Sequence, residues 1–591
     1  MKLFACLLLT FQLARAADRP NIVIVITDDQ GYGDLACHGN PVIKTPHLDK
    51  LYSESTVLTD YHVAPTCSPT RAALMTGHWT NRTGVWHTIM GRSMIRENEV
   101  TLGQHFARHY ATAMFGKWHL GDNYPYRPED RGFEEVYRHG GGGVGQTPDV
   151  WDNSYFDGGY FHNGKIEAAK GFCTDVFFEK ANEFIKARAG KGEPFLAYIS
   201  TNAPHGPLHC PQKYLNLYKD QKPGIAAFFG MITNIDDNIG KTRKLLADLG
   251  VADNTIFIFT TDNGTASGSG VFNSGMRGKK GSEYDGGHRV PFFVHWPAAG
   301  LNTHRKIGRL THAIDVVPTL LDVCDVPNEA GVRFDGASQA SFFDPSYVAG
   351  SLPDERMIIT DSQRVVDPIK WRKSSVMSSQ YRLVNGTELY DIKADPGQKT
   401  NIAKSKPEQV ARMRAFYDQW WTELEPTFSQ TTEAHLGHPD HPKVTMTAHD
   451  WLNTAPPWHQ GSIRGAKSKK NKEGKFTGHW AIKVLQEGRY KISLLRWPEE
   501  ANHPINAPLP SGKGVPGASK AFRTNPGVAL NASKAILMIN GKEVASKPVD
   551  EKATAISFTT NLPKGSHELA PVFVSEKGQT GAFYCIVEKL P

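Results

Sequence analysis

Five short stretches of the chain carry residues out of keeping with their apolar surroundings. Asp28-Asp29 close the run NIVIVITDD, Asp262-Asn263 follow NTIFIFTT, His205 follows PFLAYISTNAP, and Lys117 and His119 follow ATAMFG. The fifth is VAPTCSPTRAALMTG, residues 63–77, in which Cys67 precedes Ser68, Pro69, Thr70 and Arg71. Three carboxylates and an amide oxygen are hard donors, suited to Ca²⁺ or Mg²⁺ and not to a thiolate-seeking metal. A divalent cation would also offset the mutual repulsion of Asp28, Asp29 and Asp262, so one hard cation is expected among them. Asn263-Gly264-Thr265 matches a glycosylation acceptor as well, a role a metal ligand could not share. Pro69 suits the first turn of a helix. Cys67 then stands at the helix mouth, where free backbone N–H groups and the macrodipole favour an anion. Arg71 adds a forked cationic donor matched to a tetrahedral oxyanion. The residues alone describe a nucleophile or ligand at an anion-binding helix start, beside a hard cation.

The elements that must position these groups are legible around them. Each chemical end closes or follows a short, almost continuously apolar run, as a buried strand of a parallel sheet requires, and VPFFVHWP repeats the form. Between the runs lie helical patterns, TDVFFEKANEFIKARAG and AFFGMITNIDDNIGKTRKLLADLG, the second ending in a C-terminal glycine. Strand–helix alternation predicts an α/β sheet covered on both faces. In open sheets of this kind ligands bind at the carboxyl ends of the strands, which would gather four chemical ends into one site. A single TDN or PH reads as a turn or cap; four together read as a site. From about residue 370 the texture changes. SSQYRLVNGTELYDI predicts a hairpin turning at Asn385-Gly386, and PEQVARMRAFYDQWWTEL an amphipathic helix. Residues 426–445 read as a linker. Beyond them HWAIKVLQ, RYKISLLRW, KAILMING, AISFTTNL and GAFYCIVEKL alternate without helical period, a β-sandwich pattern. The expected organisation is a signal peptide at 1–16, a catalytic α/β unit at 17–369, a small antiparallel-sheet subdomain at 370–425, the linker, and an accessory β-sandwich at 446–591.

With 591 residues the chain is too long for one core. Its net charge of +7 is spread out, the densest basic run being AKSKKNKEGK at 466–475, which favours an anionic small molecule or polysaccharide over nucleic acid as the partner. Lys2, the apolar LFACLLLTFQLA and the small-residue ARA before Ala17 form a secretory signal, so a secreted or periplasmic location is expected. The apolar run is too short to span a bilayer, and Cys6 precedes most of it, against a lipid anchor. No stable membrane anchor is expected. Seven cysteines without C-x-x-C spacing argue against zinc and a disulfide framework, leaving room for one or two bridges. Cys324 reads as a small buried hydrophobe.

CSPTRAALMTG resembles the type I sulfatase signature, C-x-P-S/T-R followed by T-G. DDQGYGDLACHGNPVIKTPHLDKL, GKWHLG, TDNG and RGKKGSEYDGGHRVP resemble further blocks of that family in the expected order, so the likeness covers residues 21 to about 425. It implies the alkaline-phosphatase-like architecture, a large mixed sheet sandwiched by helices with a smaller α+β subdomain. It implies sulfate ester hydrolysis through a Cα-formylglycine made from Cys67 by a formylglycine-generating or anaerobic maturation enzyme. By the same resemblance Asp28, Asp29, Asp262 and Asn263 hold Ca²⁺, which the modified Cys67 also touches. Arg71 and Lys117 match residues that hold the modified side chain and the sulfate. His119 matches the base that collapses the intermediate, and His205 and Lys280 match the groups beside the leaving oxygen. Spacing to Asp285-Gly286-Gly287 selects Lys280 over Lys279, and the family commonly has Glu where Asp285 stands. The implied route begins with a hydrated aldehyde, one hydroxyl of which attacks sulfur while His205 protonates the departing alcohol; the second hydroxyl then expels sulfate as His119 takes its proton. Phosphodiesterases and phosphonate hydrolases of the same superfamily, some of which also use the cysteine motif, stay open as a reading, as does a non-catalytic glycan binder. Export plus a β-sandwich makes a sulfated carbohydrate the preferred substrate. The stretch RHGGGGVGQTPDVWDNSYFDGGYF, residues 138–161, joins a flexible glycine run to Trp151 and Asp152 and suits a sugar subsite, with His209 near the same mouth.

Overall fold

Asn21–Thr27 (β1) is buried along its whole length. Ile22, Ile24 and Ile26 face one apolar core, and Val23 and Val25 face another, as a strand covered on both sides must. The structure is a computed structural model, described for residues 19–343, 355–452, 456–466, 476–515 and 521–591. The expected signal peptide at 1–16 and most of the basic run, 467–475, lie outside the described residues.

Following β1, the strands of its sheet are Thr56–Leu58 (β2), Ala111–Gly116 (β3), Glu135–Arg138 (β4), Gly159–His162 (β5), Lys165–Ala168 (β6), Phe195–Ser200 (β7), Thr255–Thr261 (β8), Phe292–His295 (β9) and Arg305–Ile307 (β10). They pair in the order β10-β2-β9-β8-β1-β7-β3-β4-β5-β6. The central strands β8, β1, β7, β3 and β4 run parallel, while β9 is antiparallel to β8 and β5 to β4, giving the large mixed sheet. Five helices matter here: Pro46–Ser53 (α1), Cys67–Thr76 (α2), Cys173–Ala189 (α3), Pro223–Asp248 (α4) and Pro407–Leu424 (α5). Ala72, Ala73, Leu74 and Met75 of α2 join the core on one face, and Phe177, Phe178 and Ile185 of α3 with Met231, Ile235 and Ile239 of α4 join the other. Four of the chemical ends therefore leave adjacent parallel strands on the same edge.

The small subdomain is a four-stranded antiparallel sheet, Ile358–Asp361 (β11), Ser374–Met377 (β12), Tyr381–Val384 (β13) and Glu388–Asp391 (β14), packed on Met413, Tyr417, Trp420 and Trp421 of α5. Its first strand precedes residue 370, so this unit begins earlier than its sequence texture implies. Asn385 and Gly386 turn the hairpin with φ of 50° and 68°, the pair of positive values that a two-residue turn matched to strand twist requires.

The stretch 426–445 is no linker. Ala434–Leu436 (β15) and Lys443–Thr447 (β16) are strands of the C-terminal unit, with Trp480–Val484 (β17), Gly488–Leu495 (β18), Lys534–Ile539 (β19), Lys542–Pro548 (β20), Ile556–Leu562 (β21), Gly565–Leu569 (β22), Val572–Ser575 (β23), Gly578–Gly581 (β24) and Tyr584–Lys589 (β25). One sheet runs β15-β17-β22-β19-β23-β24, with β20 also on β19, and the other β16-β25-β18-β21. Ile482, Val484, Leu537 and Leu569 of the first meet Val444, Ile492, Leu494, Phe558 and Val587 of the second in one core. The strands at 434–447 escape sequence reading because β-breaking Gly437, Pro439 and Pro442 sit between them. A short helix, Gln460–Gly465 (α6), interrupts the otherwise strand-built unit. The described cysteines 37, 67, 173, 210, 324 and 585 are all free thiols, so the one or two bridges left open form none among them. No helix among the described residues is long and apolar enough to cross a membrane.

Candidate active site

The ends of β1, β8, β7 and β3 converge on the start of α2. Gly116, with φ of 108°, brings the backbone so close to the neighbouring strand that an added Cβ would lie 2.0 Å from Ser200 O. This turn aims the next residue inward, and Lys117 Nζ donates to Asp28 Oδ2 at 2.6 Å. Arg71, fully buried one turn into α2, donates through Nε and a terminal nitrogen to Asp262 Oδ2 at 3.2 and 2.8 Å, and through its other terminal nitrogen to Lys117 O and Ser200 Oγ. Lys280 pairs with Asp29 Oδ1, to which Asn263 Nδ2 also donates at 3.0 Å. Arg71 and Lys117 thus act from beneath the site on its carboxylates, whereas Lys280 reaches the cleft wall.

The electrostatics follow from three carboxylates crowded in one dry place. Burial, then repulsion from Asp28, pushes Asp262 up to about 7, against the pull of Arg71 and Lys117. Burial alone would raise Asp29 too, but the Lys280 and His205 charges and the Asn263 bond outweigh it and hold that carboxyl well below the usual range. Asp28 Oδ1 and Asn263 Oδ1 are buried without a hydrogen-bond partner among the described residues. One ligand atom from each of Asp28, Cys67 and Asp262 lies within 4.8 Å of the others. Hard oxygens left without donors, converging over such a span, fit a hard cation. A second cluster, His62, Asp285 and His288, is of another kind. There Arg382 is the resident cation, donating to Asp285 Oδ1 at 3.1 Å and Asp60 Oδ1 at 2.7 Å and so tying β13 to the catalytic unit.

Cys67 is the first residue of α2 and only 3% exposed, yet it forms the floor of a cleft of about 960 Å³, open mouth included. His119, His205, Lys280 and Gln146 are among its walls, and no acidic side chain among the described residues is. His119 sits at a left-handed φ of 64° with its carbonyl accepting from Ser68 Oγ at 2.7 Å. Its Nε2–H donates to Thr88 O at 2.9 Å, which leaves Nδ1 as the open lone pair. Burial first, then the charges of Lys117 and His449, hold this imidazole well below its ordinary value and therefore neutral. His205 donates from Nδ1 to Gly206 O at 2.6 Å, and burial together with Lys280 pushes it down to about 3.

The 138–161 stretch reaches the cleft through Gln146, and not through the residues expected. Its glycines are close-approach positions: a Cβ on Gly142 would lie 2.2 Å from His119 Cε1, so the chain crosses the imidazole face only because no side chain is there. Trp151 is not on the cleft. It packs edge-on against Trp497 at 5.6 Å and under the Arg464 guanidinium at 5.2 Å, and Asp152 Oδ1 accepts from Arg464 at 2.5 Å. Both residues dock the C-terminal unit, because an indole and a carboxylate at an interface find an aromatic and an arginine before they find solvent. His209 is buried against the Tyr155 ring at 5.2 Å, behind His205, whose carbonyl Tyr155 holds. In place of these three, the cleft is lined by Thr88, Gln146, Arg364 and Trp458. Gln146 falls inside the 138–161 stretch without being singled out in it, and Thr88, Arg364 and Trp458 carried no sequence signal, since each lies in a segment without strand or helix period.

The sequence profile of the Sulfatase family matches residues 20–326, just over half of the chain. The chain belongs to the sulfatase family. It is 30% identical over 368 residues to human N-acetylgalactosamine-6-sulfatase, across 57% of this chain and 68% of that protein. To human arylsulfatase A it is 29% identical over 471 residues, across 69% of this chain and 89% of the relative. Among solved structures, that of Ps i-CgsB in complex with k-i-k-neocarrahexaose superposes with a TM-score of 0.61 at 26% identity, over 68% of this chain and 92% of that one. This sulfatase is accordingly a sulfuric ester hydrolase on the alkaline-phosphatase-like fold, as its signature implied.

Proposed function

We propose that the protein is an exported carbohydrate sulfatase that uses a formylglycine made from Cys67 by a maturation enzyme, and a Ca²⁺ held by Asp28, Asp29, Asp262 and Asn263. The observation that carries this reading is the convergence of Cys67, at the start of α2, with buried carboxylates and two hard oxygens that lack donors. The carbohydrate part draws support from the relatives, one named N-acetylgalactosamine-6-sulfatase and one crystallised with k-i-k-neocarrahexaose.

A formylglycine supplies, once hydrated, an oxygen nucleophile at a position where a thiol would not turn over a sulfate ester. Calcium supplies Lewis-acid polarisation of a sulfate oxygen. The chain's own groups do the rest. Arg71 and Lys117 fix the orientation of Asp262 and Asp28, so the donor set is in place before substrate arrives. Lys280, an ammonium held charged beside Asp29, meets the negative sulfate from the cleft wall. His119 accepts a proton at Nδ1, the nitrogen its Thr88 bond leaves open, and His205 stands across the cleft where the alcohol oxygen departs.

The deciding experiment is sulfate release from a panel of defined sulfated mono- and oligosaccharides by protein co-expressed with a formylglycine-generating system. Intact-peptide mass spectrometry should find residue 67 about 18 Da lighter than cysteine, the difference between thiol and aldehyde. Full activity with an unmodified thiol would refute the nucleophile. Chelation should lower Tm and activity together, and added Ca²⁺ should restore both in the wild type but not in Asp262→Asn.

A further inference from the structure

Two residues that line the cleft come from different units of the molecule, and the chemistry at residue 67 uses neither. Arg364, just after β11, is exposed, and its side chain has no hydrogen-bond or ion-pair partner among the described residues. Its backbone lies at φ of 43°, a conformation costly for a residue with a Cβ, and the residue lines the cleft. Trp458 comes from the C-terminal unit and is 36% exposed, one of few large apolar side chains among the described residues left open to solvent. It is nevertheless fixed in place. Thr147 N donates to Trp458 O at 3.0 Å, Thr147 Oγ1 to Pro457 O at 2.5 Å and Gln460 N to Gly145 O at 3.1 Å, and Gln146 and His459 form a β-bridge. His459, its neighbour, stacks on Phe522 at 4.5 Å.

Lys280 is assigned to the departing sulfate, so Arg364 is a further cation in a cleft with no acidic wall among the described residues. A guanidinium fork matches the planar or tetrahedral oxygens of a carboxylate or sulfate. An exposed, rigidly seated indole offers an apolar face beside polar groups, the arrangement that takes the C–H face of a sugar ring. We propose that Arg364 and Trp458 form a subsite for the sugar next to the one that loses sulfate, and that this neighbouring sugar carries an anionic group of its own. Trp458 supports the ring and Arg364 binds the anion. The proposal rests on the carbohydrate-sulfatase reading and adds to it that the preferred substrate is an oligosaccharide with a second negative charge, selected partly by the C-terminal unit.

The test is steady-state kinetics of wild type, Arg364→Ala, Arg364→Lys, Trp458→Ala and Trp458→Phe on four substrates: 4-nitrophenyl sulfate, a monosulfated monosaccharide, a disulfated disaccharide, and a monosulfated disaccharide containing a uronate. Arg364→Ala should raise KM at least tenfold on whichever charged disaccharide is preferred, with kcat within threefold, and cut the disaccharide-to-monosaccharide ratio of kcat/KM by a similar factor. Arg364→Lys should recover part of that ratio. Trp458→Ala should raise KM on both disaccharides, and Trp458→Phe should retain most of the affinity. The two disaccharides separate a sulfate from a carboxylate as the bound group. A ratio unchanged within twofold in Arg364→Ala overturns the proposal, as does an equal loss on all four substrates, which would mark a structural role. Wild type that cleaves the aryl ester but no saccharide sinks the carbohydrate reading itself, and this proposal with it.

Discussion

Arg71 commits its guanidinium to Asp262, Lys117 O and Ser200 Oγ, all within its own scaffold. Removing one partner of a buried pair leaves an uncompensated charge, so Arg71→Ala should destabilise the fold by about 3–5 kcal/mol in urea titration, well beyond a surface substitution. The sequence suggests Arg71 for the anion, and in the structure its bonds go to the carboxylate, because the i, i+4 spacing keeps it on the face of Cys67 but one turn deeper. Cys67, His119 and His205 were legible because each breaks the character of its surroundings, and Lys280 only through the resemblance of the block RGKKGSEYDGGHRVP to its family. Arg364 and Trp458 were not, since a lone arginine or tryptophan in an aperiodic loop looks the same whether it binds or not. His119→Ala should lower kcat by about 10²–10⁴-fold, the range for a lost acid–base group, with Tm little changed. Away from the site, His78 donates to Glu99 at 2.6 Å. Burial alone would lower His78, yet the Glu99 bond and charge raise it above the ordinary 6.5. A folded-state value above the unfolded one means stability present below about pH 6.5 and lost as pH rises through the folded value. Glu99→Gln should therefore lower Tm more at pH 6 than at pH 8.5.

At the scale of elements, apolar runs and helical periods identify the central strands and the long helices, because burial on both faces imposes a strong pattern on a short segment. The glycine run at 140–143 defeated the same reasoning. Composition alone suggests a mobile loop, whereas two of its glycines serve close approach: Cβ atoms would fall 2.2 Å from Pro148 O at Gly140 and from His119 Cε1 at Gly142. Gly142→Ala must displace the imidazole or the loop, so it should cost at least tenfold in kcat while thermal unfolding stays cooperative. Gly116→Ala meets backbone, not a movable ring, and should instead lower the yield of folded protein.

For the whole molecule, the expected series of separate units joined by a linker gives way to interlocking. Arg464, Gln460 and Arg523 of the C-terminal unit all bond to Asp152 in the catalytic one, and Tyr584 donates to Thr147 O at 3.2 Å. Such contacts join residues more than 300 positions apart, a separation across which no local pattern speaks. Arg464→Ala removes the ion pair and the cation over Trp151, and should uncouple the two units into separate calorimetric transitions while lowering activity on oligosaccharides.

All ten residues of α2 are buried, the thiol of Cys67 with them. An enzyme that edits a side chain must grip several residues of open polypeptide around it, and a packed helix offers none. The proposed conversion of residue 67 is therefore a race against folding, confined to the interval before the sheet closes over α2. A chain that wins its native shape too early keeps its sulfur for good.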